Sequence, residues 1–230
     1  MKGYMGKILR VDLTKGRVEA EKLDEKLAKK FIGGSGLATK ILSDETGVKT
    51  DPMGPENRLI FMTGPFAATP VITSGRHHMV TKSPLTGAYT ESDSGGTWGP
   101  YLKRAGFDGI VVTGKASKPV YLWVTDGKAE IRDASRYWGM DTYVLDEAIR
   151  KETHNDAVVA SIGPGGEKGV RYASILNDGK DARAAGRGGS GAVMGSKNLK
   201  AVAVYGKMQV EIADPDGLKA SLKEISPMVA

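Results

Sequence analysis

The chain has 230 residues, 40% of them hydrophobic, with 33 basic and 27 acidic side chains that leave a formal net charge of +6. That length suits one large domain or two small ones, while the lack of any apolar run of about 18 residues excludes a membrane-spanning helix and zero cysteines exclude disulfides and thiolate ligation within the chain. The charge is interspersed and not interleaved with aromatics, so it speaks for a mixed surface or an anionic ligand and not for nucleic acid.

In chain order, Met1 to Gly6 lead straight into a strand pattern with no signal-peptide core, which predicts a cytoplasmic protein. Residues 7–23 alternate around Lys15-Gly16 and predict a β-hairpin. A short helix follows, with Asp24 as N-cap and Gly33 or Gly34 closing it. Leu37, Ile41 and Leu42 mark a second amphipathic stretch, and residues 58–63 a buried strand ending at Gly64-Pro65. Residues 120–133 form another hairpin, turned by Asp126-Gly127. A helix opening near Asp141 is expected to bury Val144, Leu145, Ala148 and Ile149, and residues 157–162 form a strand ending at Gly163-Pro164.

The second series repeats the first. SGGTWGPYLKRAGFDGIVVTGK (94–115) resembles RGGSGAVMGSKNLKAVAVYGK (187–207); Gly95 and Gly188 lie 93 positions apart, Gly114 and Gly206 lie 92 apart, and Gly64 and Gly163 lie 99 apart. Such near-constant offsets predict an internal duplication, with halves of about 1–115 and 116–210. Hairpins mixed with helices make the fold α+β. Asp214-Pro215 caps a last helix striped by Leu218, Leu222 and Ile225, expected to begin a further, truncated helical domain over 211–230.

Glycine is the compositional outlier, with 31 residues, roughly twice its usual share of about 7%. Each half has a Gly-Gly pair before an expected helix, Gly95-Gly96 and Gly188-Gly189. Helix N-termini carry unpaired amides and positive partial charge, so two such turns predict two anion sites; glycine-lined packing without a ligand is the other reading. Trp98, Tyr101, Leu102 and Ala105 give the first of these helices a buried face, and Arg183 and Arg187 flank the second turn. Arg76 suits phosphate or a surface ion pair; Asp93 suits Mg2+ or an N-cap. His77 and His78, adjacent on a strand, point to opposite faces and cannot share a metal.

Two motif matches fail. Gly109-Ile-Val-Val-Thr-Gly-Lys-Ala nearly spells a P-loop, but Ala116 lacks the hydroxyl for Mg2+ and the stretch reads as a strand. Gly186-Arg-Gly-Gly-Ser-Gly191 has a polar loop before it where a dinucleotide fingerprint needs an apolar strand.

Together, TKSPLTGAYTESDSGG, LKRAGFDGIVVTGKASKPVYLWV, IRDASRYWG and SIGPGGEKGVRYASILNDGKDARAAGRGGSGAVMGSKNLKAVAV resemble the amino-terminal domain of the aldehyde ferredoxin oxidoreductase family, over residues 3 to about 210. The resemblance implies a saddle of two related β-sheet halves under a tungsten (or molybdenum) bis-pyranopterin whose phosphates are bridged by Mg2+. It implies a parent enzyme that oxidises aldehydes to carboxylates through a [4Fe–4S] cluster to ferredoxin. The positions matched to the family's cofactor site are Arg76, Asp93, Gly95, Arg183 and Ala184, with Asp93 and the Ala184 carbonyl at the Mg2+; Ser94, Gly96, Arg187, Gly188 and Gly189 join them as cofactor-binding candidates from the two glycine turns. The family pattern has Asn where this chain has Asp93. Without cysteines the chain cannot hold the cluster, so it is expected to be inactive alone and no catalytic residue is assigned. A stand-alone, non-redox scaffold or binding module is the alternative. No nucleic-acid or membrane partner is expected, and homo-oligomer formation is left open.

Overall fold

The computed structural model describes residues 1–229. The first half runs β1 (Lys7–Asp12), β2 (Arg17–Lys22), α1 (Glu25–Phe31), α2 (Gly34–Glu45), β3 (Leu59–Thr63), β4 (His77–Lys82), β5 (Tyr89–Ser94), α3 (Trp98–Arg104) and β6 (Gly109–Thr113). The second runs β7 (Val120–Thr125), β8 (Lys128–Asp133), α4 (Thr142–Glu152), β9 (Val158–Ser161), α5 (Pro164–Glu167), β10 (Ile175–Asn177), β11 (Arg183–Ala185), α6 (Ser190–Ser196) and β12 (Leu199–Tyr205), and α7 (Pro215–Val229) follows.

Each half makes one six-stranded sheet, ordered β2-β1-β6-β3-β4-β5 and β8-β7-β12-β9-β10-β11. The orders correspond strand for strand. In both sheets a single pair is parallel, β1 with β6 and β7 with β12, and every other neighbour is antiparallel. The expected α+β duplication is therefore present in the topology itself.

The hairpin turns fall where expected, with Asp126 and Gly127 both at positive φ, the geometry a two-residue connection requires. Asp24 caps α1 by accepting from the Lys26 amide at 2.7 Å. The helix closes one residue earlier than expected: Ile32 takes the positive φ of 64° at the C-cap, and Gly34 already opens α2.

Three apolar clusters stack across the molecule. On the outer side of the first sheet, Leu37, Ala38, Ile41 and Leu42 of α2 cover Ile60, Met62, Val80 and Val111. On the outer side of the second, Leu145 and Ile149 of α4 cover Tyr121, Val159 and Ala203. The largest cluster lies between the sheets and joins Phe61, Trp98, Leu102 and Ile110 to Leu122, Ile162, Val193 and Val202. Trp98 in α3 donates its indole N–H to the Val202 carbonyl of the other half at 3.0 Å.

One expectation needs correction. Val144 is 58% exposed; the inward face of α4 is Thr142, Leu145, Asp146 and Ile149, and Val144 lies about 100° round the helix from Leu145. The apolar stripe of α7 forms, with Asp214 accepting from the Gly217 amide at 2.8 Å, and none of its residues is buried. Buried lysines were not anticipated. Lys103 donates to the carbonyls of Gly3, Gly64 and Pro65, and Lys200 to those of Met140 and Ile162, so each half ties down its Gly-Pro loop with an ammonium. Burial pushes the Lys103 pKa down to about 8.

Candidate cofactor-binding site

The polar stretch 74–96 folds as the β4–β5 hairpin, with His77 opposite Ser94, His78 opposite Asp93 and Val80 opposite Glu91. Its strand β5 is the free edge of the first sheet, and β11 is the free edge of the second. The two edges lie against each other. Side chains stitch this seam. Ser92 accepts from the Arg187 amide at 3.0 Å, Ser94 bonds Asn177 at 2.5 Å, Asn177 donates to the Gly95 carbonyl at 3.0 Å, and Ser83 donates to the Gly188 carbonyl at 2.8 Å.

The glycine pairs lie within this seam. A Cβ on Gly188 would stand 1.9 Å from the Thr90 hydroxyl, and one on Gly96 would stand 1.5 Å from the Asp178 carboxylate. Gly189 is closed in by the Arg171 carbonyl and Pro84. The two turns thus lie on one seam but toward opposite ends of β5: Gly188 stands against Thr90, and Gly96 against Asp178 and Arg183. The helix N-termini are not open cradles, however. Asp178 accepts from the Thr97 amide at 2.8 Å and from its hydroxyl at 2.5 Å, so a carboxylate of the chain itself occupies the anion position at α3. At α6 the Gly191 amide is taken by the Ala173 carbonyl at 2.9 Å. Asp93 is not an N-cap either: Thr97 holds that place.

The space for an anion lies beside the seam. A cavity of about 570 Å³ is lined by Arg76, Glu91, Ser92 and Asp93 from the first half and by Ala184, Gly186 and Arg187 from the second. Four sequence candidates, Arg76, Asp93, Ala184 and Arg187, therefore meet in one pocket. Arg183 is exposed and close to Gly96, while Ser94 is buried and committed to Asn177. Glu91 was missed, although strand alternation places it on the face of Asp93. His78 was also missed. Its Nδ1 lies 2.6 Å from Oδ1 of Asp93, with the N–H vector out of line with that oxygen. His77 does point the opposite way. It is wholly buried, ring to ring with Trp98 at 4.6 Å, and neither of its nitrogens has a hydrogen-bond partner.

Chemically, two guanidinium groups suit phosphate oxygens, and a carboxylate next to the backbone of an edge strand suits a hard divalent cation. Among the described residues no group of three or more His, Asp or Glu is placed to hold a metal. A cation here would need further oxygens beyond those of the chain. The arrangement defines a duplicated two-sheet domain with an ionic pocket on the seam of its halves.

The comparisons with known proteins identify which such domain it is. Residues 8–206 match the model of the aldehyde ferredoxin oxidoreductase N-terminal domain, and the chain belongs to that family. It is 51% identical over 225 residues, 97% of the chain, to the tungsten-containing aldehyde ferredoxin oxidoreductase of Pyrococcus furiosus. It is 42% identical over 97% of its length to an aliphatic sulfonate oxidoreductase, WOR-like subunit, of the same organism. A solved active-site complex BamBC of benzoyl coenzyme A reductase, in complex with 1,5-dienoyl-CoA, superposes with a TM-score of 0.94 at 40% identity over 99% of the chain. The chain spans 37% and 38% of the two curated relatives and 35% of the solved chain. None of its described helices is long and apolar enough to cross a membrane.

Proposed function

We propose that this chain is the cofactor platform of a longer, cytoplasmic tungsten- or molybdenum-dependent bis-pyranopterin oxidoreductase. In the reaction proposed for the whole enzyme, an aldehyde and water give a carboxylate, three protons and two electrons, and the electrons leave through a [4Fe–4S] cluster to ferredoxin. The observation that carries the reading is the seam pocket, where Arg76 and Asp93 of one half face Ala184 and Arg187 of the other.

When bound, the metal–pterin group supplies the two-electron chemistry. This chain binds and orients it. Arg76 and Arg187 hold phosphate oxygens, with Arg183 nearby. Asp93 and the Ala184 carbonyl would hold Mg2+. Ser94 and the glycines at 95, 96, 188 and 189 keep the two edges close enough for one ligand to span them. Residues 1–210 form the platform, and α7 begins the domain that follows; its unburied stripe supports that division. With no cysteine, the chain takes the cluster from elsewhere in the longer protein and is inactive by itself. Relatives named for aldehyde, sulfonate and benzoyl-CoA chemistry share this domain, which supports placing substrate choice outside it.

The test uses the full-length protein produced anaerobically with tungstate, with tungsten, molybdenum and magnesium measured by mass spectrometry and pterin by fluorescence. Each charge-assisted phosphate bond lost costs about 1.5 kcal/mol or more, roughly tenfold in affinity, so the R76A/R187A double variant is expected to lose its pterin and metal. A double variant that retains stoichiometric tungsten, or an active wild type without pterin, overturns the reading.

A further inference from the structure

We infer that His78 is a positioning residue for the pocket: its Nδ1–H holds the Asp93 carboxylate toward the seam. The two residues face each other across the β4–β5 ladder, with Nδ1 2.6 Å from Oδ1. The two atoms are in contact but not aligned as a hydrogen bond; the torsion at the end of an aspartate side chain is broad, and the hydrogen bond inferred here needs a turn of the carboxylate about it. His78 is the one ion-pair contact of the Asp93 carboxylate among the described residues.

The imidazole is held from behind by the start of α2. Gly34 has φ of +50°, and a Cβ there would stand 2.7 Å from both Cδ2 and Nε2 of the ring. Only glycine leaves the room that His78 occupies. The backbone at 34 fixes the ring, the ring fixes the carboxylate, and the carboxylate lines the cavity with Arg76, Ala184 and Arg187. Metal-ligating groups commonly depend on such outer hydrogen bonds for their orientation. The Asp93 contact requires the proton on Nδ1. His77 takes no part, because it is turned to the other face against Trp98.

The functional consequence rests on the reading of the pocket as a phosphate–Mg2+ site, and the experiment separates the two. On the purified chain, 15N-resolved NMR of the imidazoles reports which His78 nitrogen carries the proton. Calorimetry with pyrophosphate and Mg2+ reports the pocket in wild type, H78N, H78Q, H78A and D93A. The expected tautomer is Nδ1–H in wild type, reverting to Nε2–H in D93A. The amide nitrogen of an asparagine reaches the position of Nδ1 and that of a glutamine does not. H78N therefore keeps wild-type affinity, while H78Q and H78A lose roughly 10–100-fold. A plain packing role gives no such order, since glutamine is nearer histidine in length. An Nε2–H tautomer in wild type, or three His78 variants that bind alike, overturns the inference and leaves the pocket reading standing. Binding that D93A does not change refutes the pocket reading instead. Where the chain binds no pyrophosphate at all, the tautomer and its response to D93A still decide the role of His78.

Discussion

Acid should cost this domain stability through His77, by an amount the structure sets. The imidazole is fully buried against Trp98 with no hydrogen-bond partner on either nitrogen. Burial first, and the neighbouring His78 second, lower its pKa from 6.5 to about 3. Between those values the unfolded chain takes up a proton that the folded chain refuses, so stability falls as pH falls below 6.5, until the folded state protonates near 3. At about 1.4 kcal/mol per pH unit for one proton, the loss is about 2 kcal/mol by pH 5 and about 4 kcal/mol by pH 3. Carboxylates titrate in the same range, so the measurement is a difference: urea unfolding of wild type and His77→Phe at matched pH. The difference in unfolding free energy should move in favour of the variant by about 2 kcal/mol between neutral pH and pH 5. Curves that stay parallel over that interval would show that His77 finds a proton acceptor or water when folded, and the argument from burial would fail. His77→Met, also without a titrating group, guards against a packing defect peculiar to the phenyl ring.

Two further substitutions test the seam. Gly188→Ala sets a Cβ 1.9 Å from the Thr90 hydroxyl at a φ of +69°; strain and clash together should cost about 3 kcal/mol or more, a drop in Tm of roughly 6–12 °C, and an unchanged melting curve would mean that β5 and β11 are not in contact. Asp178→Ala removes the acceptor of the Thr97 amide and hydroxyl and should cost about 1–2 kcal/mol, with Asp178→Asn costing less; hydrogen exchange at Thr97 that is equally slow in all three proteins would refute the capping role.

Local signals were legible where the chain repeats itself. Alternation around Lys15-Gly16 and Asp126-Gly127 located both hairpins, and recurrent glycine spacings exposed the duplication that the two strand orders show. The β4–β5 hairpin was not legible, because only Met79 and Val80 among its buried residues are apolar, and His77, Thr81, Ser92 and Ser94 are buried as well. Their partners, Asn177 and the Arg187 amide, are far off in sequence, and no local pattern announces them. Lys103 misleads for the same reason, since a lysine on a short amphipathic helix reads as surface until three loop carbonyls close around it. At the pocket, Arg76, Asp93 and Arg187 stood out by residue type and by their place near the glycine turns, while Ala184 came from the family resemblance. Glu91 was within reach of strand alternation alone, and His78 needed the register of the hairpin. The helix-terminal cradles were a sound electrostatic idea, but Asp178 supplies the negative charge from within the chain.

The central cluster is drawn from both sheets, and α3 lends its indole to a strand of the opposite half. Cutting the polypeptide near residue 115 would therefore yield two pieces that each expose a large oily face, and neither would have a finished interior to fold around. The repeat is legible as a doubling of sequence, yet physically the domain is a single cooperative body.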